Sequence, residues 1–209
     1  MEYLPQFLTV ASIHLLAVIS PGPDFIMITR NTLVYSRKTG IYSAVGLGLG
    51  IGVHVAYSLL GIGLIISKSI FLFTVIKFIG AGYLFYIGYK SITSKKSQLH
   101  IKNEDKKEDI SKVNAIKIGF ITNVTNPKVT LFFLALFTQV IHPTTPFPVQ
   151  LLYGVEMMVA TGLWFTLVAI MFSHHVIKKG FEKVAHIAEK TMGAILIALG
   201  IKLALSTAK

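Results

Sequence analysis

The stretch Ser20-Pro21-Gly22-Pro23-Asp24 interrupts an apolar run that extends from Tyr3 to Ile28. Its two prolines remove two backbone donors and clash with the preceding turn, so one unbroken helix cannot pass through this point. Ser20 is a preferred N-cap and Pro21 suits the first helical position, which predicts a second half-helix beginning at Ser20. A broken helix is tolerated at membrane depth where protein or a water-filled cavity lines it, so the stretch predicts a binding site. A simple proline kink and the end of a signal peptide are the alternatives, although residues 1–2 supply no basic segment.

The composition predicts an all-α integral membrane protein. Hydrophobic residues make up 53% of the 209-residue chain, and apolar runs long enough to cross a bilayer recur along it. We expect one transporter domain over residues 1–209 with six transmembrane helices, at about 3–28, 41–66, 70–92, 115–141, 147–173 and 181–205. The chain has no cysteine, which excludes disulfides, thiolate nucleophiles and iron–sulfur clusters.

The net charge of +11 indicates membrane orientation, not nucleic-acid binding, because the lysines and arginines lie in short links between apolar runs. Alternate links, after spans 1, 3 and 5, carry fifteen of them, and the other two links carry only Lys68. The fifteen are Arg30, Arg37, Lys38, Lys90, Lys95, Lys96, Lys102, Lys106, Lys107, Lys112, Lys117, Lys178, Lys179, Lys183 and Lys190. This asymmetry predicts that the three basic links, including the charged link 94–114, are cytoplasmic and that both termini are outside.

A second break is predicted in span 4, where Asn123 is followed by Thr125-Asn126-Pro127-Lys128. Asn126 is a good N-cap and Pro127 suits the first helical position. Both breaks fall near the midplane of the membrane, and both turn the positive N-terminal end of a half-helix toward that level. Together they predict a site for a carboxylate.

Charged residues within predicted spans include Asp24, Lys128 and Glu156. Each is expensive in contact with lipid, so we expect all three to face the protein interior. Asp24 and Lys128 each follow a break, so they either pair with one another in the empty state or divide substrate binding and charge balance between them. A purely structural ion pair is the alternative.

Span 2 carries glycines at alternating positions, namely Gly46, Gly48, Gly50 and Gly52. Close packing of helix backbones is the simpler interpretation. The more specific interpretation is that Gly50, with His54 one turn further along, belongs to a helix face that lines the substrate site.

The two halves of the chain are predicted to form an inverted repeat, because three spans per half reverse the orientation. A shift of 112 residues places Leu84, Gly88 and Lys90 on Leu196, Gly200 and Lys202. The two breaks differ by 104 residues, so the repeat needs an insertion or deletion.

Four blocks of the sequence together resemble the LysE/RhtB family of bacterial amino-acid exporters. They are residues 20–25 (SPGPDF), residues 37–54 (RKxG followed by GxGxGxxVH), residues 77–88 (KFIGAGYLFYIG) and residues 119–128 (GFxxNxxNPK). The resemblance covers nearly the whole chain and implies a multi-pass protein of the bacterial cytoplasmic membrane that is not an enzyme. It implies export of amino acids by exchange with protons, and members of the RhtB type handle neutral substrates such as homoserine, threonine and leucine.

The chemistry of an amino acid agrees with this expectation. The half-helix N-termini and Lys128 suit its carboxylate, and Asp24 suits its ammonium group and a competing proton. The predicted substrate-binding residues are Ser20, Pro21, Gly22, Pro23, Asp24, Gly50, His54, Asn123, Asn126, Pro127 and Lys128, and Asp24 and Glu156 are the predicted proton-coupling residues. No cofactor or metal is predicted, and the expected partners are the amino acid, the proton and the lipid bilayer, with a homo-oligomer left open.

Two other functions stay open at this level. A divalent metal exporter would use Asp24, His14, His54 and Glu156, although no His-rich tract supports it. An intramembrane enzyme would use Ser20 with His14 or His54, although no third group orients the base.

Overall fold

The structure is a computed structural model that describes residues 2–68, 70–94, 107–141, 144–173 and 178–205. Every regular element in these ranges is an α-helix, which confirms the all-α fold class. The helices are α1 (Leu4–Ile19), α2 (Pro23–Val34), α3 (Arg37–Lys68), α4 (Ile70–Thr93), α5 (Lys112–Val124), α6 (Pro127–Gln139), α7 (Phe147–Phe172) and α8 (Lys178–Leu205). Residues 95–106 of the predicted cytoplasmic link lie outside the described residues.

Within the described residues, two helical segments are each long and apolar enough to cross a bilayer. They are Arg37–Leu60 of α3 and Phe147–Phe172, which is α7. Two bent pairs pass the same test when each is taken as one broken span: α1 with α2, bent by 53°, and α5 with α6, bent by 57°. Length and composition thus identify up to four spans, two of them broken where the sequence predicts a break. The full set of six spans and the inverted repeat remain predictions.

The start of the first half-helix differs from the prediction by two residues. Ser20 ends α1, because its backbone N–H donates to the carbonyl of Leu16 at 3.1 Å. Gly22 is the N-cap of α2, with an extended backbone, and Pro23 takes the first helical position. The prediction that α2 begins at Ser20 was therefore wrong, since completing the last turn of α1 uses the residue that would otherwise have capped α2.

The second break has the predicted local chemistry. Asn126 is the N-cap of α6, and its side-chain oxygen accepts a hydrogen bond of 3.0 Å from the backbone N–H of Lys128. Pro127 takes the first helical position. The structure therefore confirms the predicted cap. Asparagine is a preferred N-cap residue, and proline suits the first helical position that follows it.

Glycines set the distance between α3 and α5. A Cβ atom at Gly46 would overlap the carbonyl of Ile116, and one at Gly119 would overlap the carbonyl of Ser43. The two backbones are therefore in direct contact, as is common for helices that pack in lipid. α3 also packs against α7, and α4 packs against α8.

The basic links after spans 1 and 3 lie at the same end of the helix bundle. The N–H of Lys107 donates to the carbonyl of Val34 at 2.8 Å, and the hydroxyl of Thr39 donates to Asp109 at 3.0 Å. At the opposite end, Gln6 near the start of α1 accepts a hydrogen bond of 2.9 Å from Thr145 in the link before α7. The chain's N-terminal region thus lies with the uncharged link and away from the basic ones.

Candidate functional site

A buried cavity lies where the two broken helices meet. Its polar lining residues are His14, Ser20, Asp24, Asn123, Asn126, Lys128 and Thr161. Its other lining residues are Ala17, Val18, Gly22, Phe25, Ile51, Val129, Phe132, Phe133, Phe165, Met192 and Leu196. The cavity volume is about 50 Å³. One water molecule needs about 10–15 Å³ of such a volume, so the cavity favours small ligands over aromatic ones.

The two breaks have the same register. Gly22 and Asn126 are the N-caps, Pro23 and Pro127 follow them, and Asp24 and Lys128 are then the second helical residues of α2 and α6. The two breaks therefore present an acid and a base from equivalent positions. Each of these side chains is bonded to the other break.

Asp24 is held by two asparagines of the α5–α6 break. Its Oδ2 accepts a hydrogen bond of 2.8 Å from the amide of Asn123, and its Oδ1 accepts one of 3.0 Å from the amide of Asn126. Asp24 is only 7% exposed. It also lies in the first turn of α2, where the helix dipole favours a negative charge. A buried carboxylate is thus satisfied without a direct cation partner.

Lys128 is bonded to the α1–α2 break. Its Nζ donates to the carbonyl and the hydroxyl oxygen of Ser20, both at 3.0 Å, and to the carbonyl of Pro21 at 3.3 Å. The ammonium group therefore neutralises the carbonyl end of α1, where helices attract cations. The lysine side chain passes over Gly22, where an added Cβ would lie 3.4 Å from its Cδ.

Within the described residues, Asp24 and Lys128 do not form the ion pair that the sequence left open. The acid takes its hydrogen bonds from the two amides, and the base gives its own to Ser20 and Pro21. Asn126 performs two tasks at once, because its oxygen caps α6 while its amide holds Asp24 of α2. The start of one half-helix is therefore tied to the start of the other.

Gly50 and His54 support the second break and do not line the cavity. A Cβ at Gly50 would lie 2.7 Å from the side-chain oxygen of Asn123, so the absence of a side chain there makes room for that asparagine. The Nε2 atom of His54 lies 3.1 Å from the backbone carbonyl of Asn123, and its Nδ1 lies 2.8 Å from the hydroxyl of Tyr57. That hydroxyl also lies 3.2 Å from the carbonyl of Thr130 in α6. α3 thus fixes the residue that holds Asp24.

The structure adds two polar residues that the prediction left out of the site, His14 on α1 and Thr161 on α7. The hydroxyl of Thr161 lies 3.3 Å from Nε2 of His14, and His14 is 1% exposed. Helical spacing gave no signal for His14, because it lies six residues before Ser20 and therefore about 120° away around α1. Nothing in the sequence brings residue 161 to this site.

The remaining predicted site residues lie apart from the cavity lining. Pro21, Pro23 and Pro127 shape the breaks, and Glu156 lies on α7 with its Oε2 buried and without a hydrogen-bond partner. Among the described residues, no three His, Cys, Asp or Glu side chains lie close enough together to hold a metal ion.

The arrangement is suited to a small zwitterion. One carboxylate and one ammonium group lie at the wall of a mainly apolar cavity, and each is held by neutral hydrogen-bond partners. Two broken helices meet at this point, so a small change in their angle would alter the site.

Comparison with known proteins gives a consistent result over nearly the whole chain. A family model described as "LysE type translocator" matches residues 15–207. The "Threonine efflux protein" of Escherichia coli K12 is 29% identical over 204 residues, covering 97% of this chain and 99% of that protein. The "Threonine efflux protein" of Salmonella typhi is 30% identical and covers 97% and 99%. The "Uncharacterized membrane protein YrhP" of Bacillus subtilis is 31% identical and covers 90% and 93%. No solved structure matches the chain significantly.

Proposed function

Because this chain belongs to the family of LysE-type translocators, we propose that it exports small neutral amino acids from the cytoplasm in exchange for protons. It is a transporter and not an enzyme, and it is a multi-pass protein of the bacterial inner membrane. Two relatives of nearly the same length are named for threonine efflux, which supports an amino acid as the substrate. The observation that carries the proposal is the buried Asp24, held by two asparagines at the meeting point of two broken helices.

Asp24 is the group that binds the substrate's ammonium in this proposal. Its oxygens already accept from the amides of Asn123 and Asn126, and each carboxylate oxygen has a second lone pair for another donor. The ammonium of an amino acid is therefore accepted without loss of either asparagine. A proton bound at Asp24 removes the negative charge that attracts the ammonium, so proton and substrate compete for one group. That competition couples inward protons to outward substrate.

Lys128 and Ser20 are the groups that bind the substrate's carboxylate. The three protons of the lysine ammonium are used by the carbonyls of Ser20 and Pro21 and by the Ser20 hydroxyl. A carboxylate that replaces the hydroxyl forms a stronger, charge-assisted bond with the lysine. The hydroxyl then still has its own hydrogen to donate to the same carboxylate.

The transport cycle uses the two halves of the chain. We propose six spans arranged as an inverted repeat, supported by the matching register of the breaks at Pro23 and Pro127. Rocking of one half against the other moves the shared site from the cytoplasmic to the outer side. The basic links face the cytoplasm and both termini lie outside, as the charge asymmetry favours. Glu156 is the second proton-coupling group that we propose, since one of its oxygens is buried and unpartnered.

Counterflow in proteoliposomes tests the proposal. Liposomes loaded with threonine, homoserine, leucine, lysine or a divalent metal are diluted into the labelled compound, and uptake is followed with and without an imposed pH gradient. We expect counterflow of small neutral amino acids from the loaded liposomes, and we expect liposomes without internal substrate to accumulate label only when the pH gradient is imposed. Counterflow of a metal without any amino acid would overturn the substrate class, and gradient-independent accumulation would overturn proton coupling.

A further inference from the structure

The cavity has a second polar group, separate from the Asp24 and Lys128 cluster. It consists of His14 on α1 and Thr161 on α7, whose side chains lie 3.3 Å apart. The Nδ1 atom of His14 is buried and has no hydrogen-bond partner, although His14 lines the cavity. Buried polar atoms are rarely left without a partner, and each such case needs an explanation.

We propose that His14 and Thr161 form the part of the site that binds the side chain of the substrate, and that they select amino acids with a side-chain hydroxyl. This inference rests on the proposed function, because it assigns a binding partner to the side chain of an amino acid whose ammonium group is bound at Asp24. The partner that His14 lacks is then supplied by the substrate.

The hydrogen-bond chemistry of His14 fits a hydroxyl in either tautomer. If the Thr161 hydroxyl donates to Nε2, the proton of the neutral imidazole is on Nδ1, which then donates into the cavity. If Nε2 donates to Thr161, Nδ1 is an acceptor. A hydroxyl both donates and accepts, so it pairs with His14 in both cases, whereas a methyl group pairs in neither.

The spacing along α1 also agrees with one amino acid bridging the two polar groups. Six residues separate His14 from Ser20, which corresponds to about 9 Å along a helix. The polar ends of a hydroxy amino acid are roughly 4 Å apart. With a hydrogen bond of about 3 Å at each end, the molecule and its two hydrogen bonds together span about 10 Å.

The surrounding wall does not compete for the hydroxyl. Phe132 lies beside His14, with ring centroids 6.2 Å apart, and Met192 and Leu196 of α8 complete the apolar lining. An apolar wall alone rejects a hydroxyl only weakly and cannot favour it, so selection for a hydroxyl requires a polar partner.

Threonine and valine provide the test, because they differ by a hydroxyl in place of a methyl and have nearly the same shape. Uptake of each is measured in proteoliposomes for the parent, His14→Phe, His14→Gln and Thr161→Val. Thr29→Val is the matched control, since Thr29 is also a buried threonine but bonds to the Phe25 carbonyl and lies outside the cavity lining.

We expect the parent to prefer threonine over valine by about tenfold or more in the ratio of kcat/KM. His14→Phe should bring that ratio close to one by losing threonine and retaining valine. Thr161→Val should lower the ratio by a smaller factor, because it removes the group that orients the imidazole. His14→Gln should restore part of the preference through its amide, and the control should keep the parental ratio.

Equal uptake of threonine and valine by the parent would overturn this inference, as would an unchanged ratio in Thr161→Val. Equal losses of both substrates in His14→Phe, with the ratio kept, would assign His14 a structural role and also overturn it. If His14→Phe does not fold, the parent and Thr161→Val decide the question. Failure of the parent to move any amino acid is a different result, because it contradicts the proposed function itself.

Discussion

The ammonium of Lys128 lies 3.0 Å from both the carbonyl and the hydroxyl oxygen of Ser20, so the first turn of α6 is bonded directly to the residue that ends α1. These residues are 108 positions apart in the chain. The bond places a cation at the carbonyl end of a helix, where the helix dipole stabilises it. It also joins the two breaks into one site.

Lys128→Met should lower the stability and abolish amino-acid binding. Methionine has a similar length but cannot donate, so the carbonyls of Ser20 and Pro21 lose a charged partner, at about 1–3 kcal/mol. Ser20→Ala is the matched comparison, because it removes the hydroxyl contact and leaves the carbonyl contact. It should cost less stability and weaken binding without abolishing it. Thermal unfolding in detergent, with and without threonine, measures both effects, and equal binding by Lys128→Met and the parent would contradict the assignment.

Asp24→Asn should abolish accumulation driven by a pH gradient, because an amide neither takes up a proton nor balances an ammonium. The structure adds an effect on stability. Both oxygens of Asp24 accept from asparagine amides, so an asparagine at position 24 would place one N–H group against another, at about 1–3 kcal/mol.

The double change Asp24→Asn with Asn123→Asp separates the two effects. It exchanges donor and acceptor across the 2.8 Å hydrogen bond and retains one carboxylate. We expect the exchange to restore much of the thermal stability but not the gradient-driven transport, since the charge is no longer at the start of α2. Full transport by the double variant would contradict a coupling role specific to position 24.

Asn126→Ala should weaken substrate binding far more than a loss of helix capping explains. It removes the N-cap of α6 and one of the two donors to Asp24. Ser111→Ala is its control, because Ser111 caps α5 through a bond of 3.3 Å to the N–H of Asn114 and is exposed outside the cavity. Each loss of a cap costs about 1 kcal/mol. We expect a clear loss of threonine binding only in Asn126→Ala, measured by equilibrium binding in detergent, and similar losses in both would refute the special role of Asn126.

Gly119→Ala should destabilise the protein strongly, since its Cβ would overlap the Ser43 carbonyl in the contact between α3 and α5. Gly82→Ala is the control, because a Cβ at Gly82 meets nothing within 4 Å. Alanine in a helix interior is favoured over glycine by about 0.8–1 kcal/mol, so the control should be neutral or slightly stabilising. Thermal melting of both variants checks this, and an unaffected Gly119→Ala would show that the helices can separate at little cost.

The orientation prediction is tested by single cysteines in this cysteine-free chain. Glu2→Cys near the start of α1 should react with an impermeant maleimide added to intact spheroplasts, and Glu108→Cys in the basic link after span 3 should react only after permeabilisation. Both side chains are exposed. The reverse pattern would mean that the basic links face outward.

The amino-acid sequence by itself determined the membrane class, the helical fold and the two breaks, because these depend on local chemistry. Proline removes a donor wherever it occurs, and asparagine before proline caps a helix without help from distant residues. The sequence also indicated six of the residues that line the cavity, since Ser20, Gly22, Asp24, Asn123, Asn126 and Lys128 all cluster at the breaks.

Only the tertiary structure decided how these residues are paired. Asp24 is bonded to Asn123 and Asn126, which are 99 and 102 residues away, and charge alone had suggested Lys128 as its partner. Local pattern wrongly favoured Ser20 as the helix cap, because the last turn of α1 competes for Ser20 and leaves Gly22 in that position. It could not add Thr161 to the site or remove Gly50 and His54 from the cavity wall. Those placements depend on which helix faces pack together, and packing is set by the shapes of side chains on separate helices.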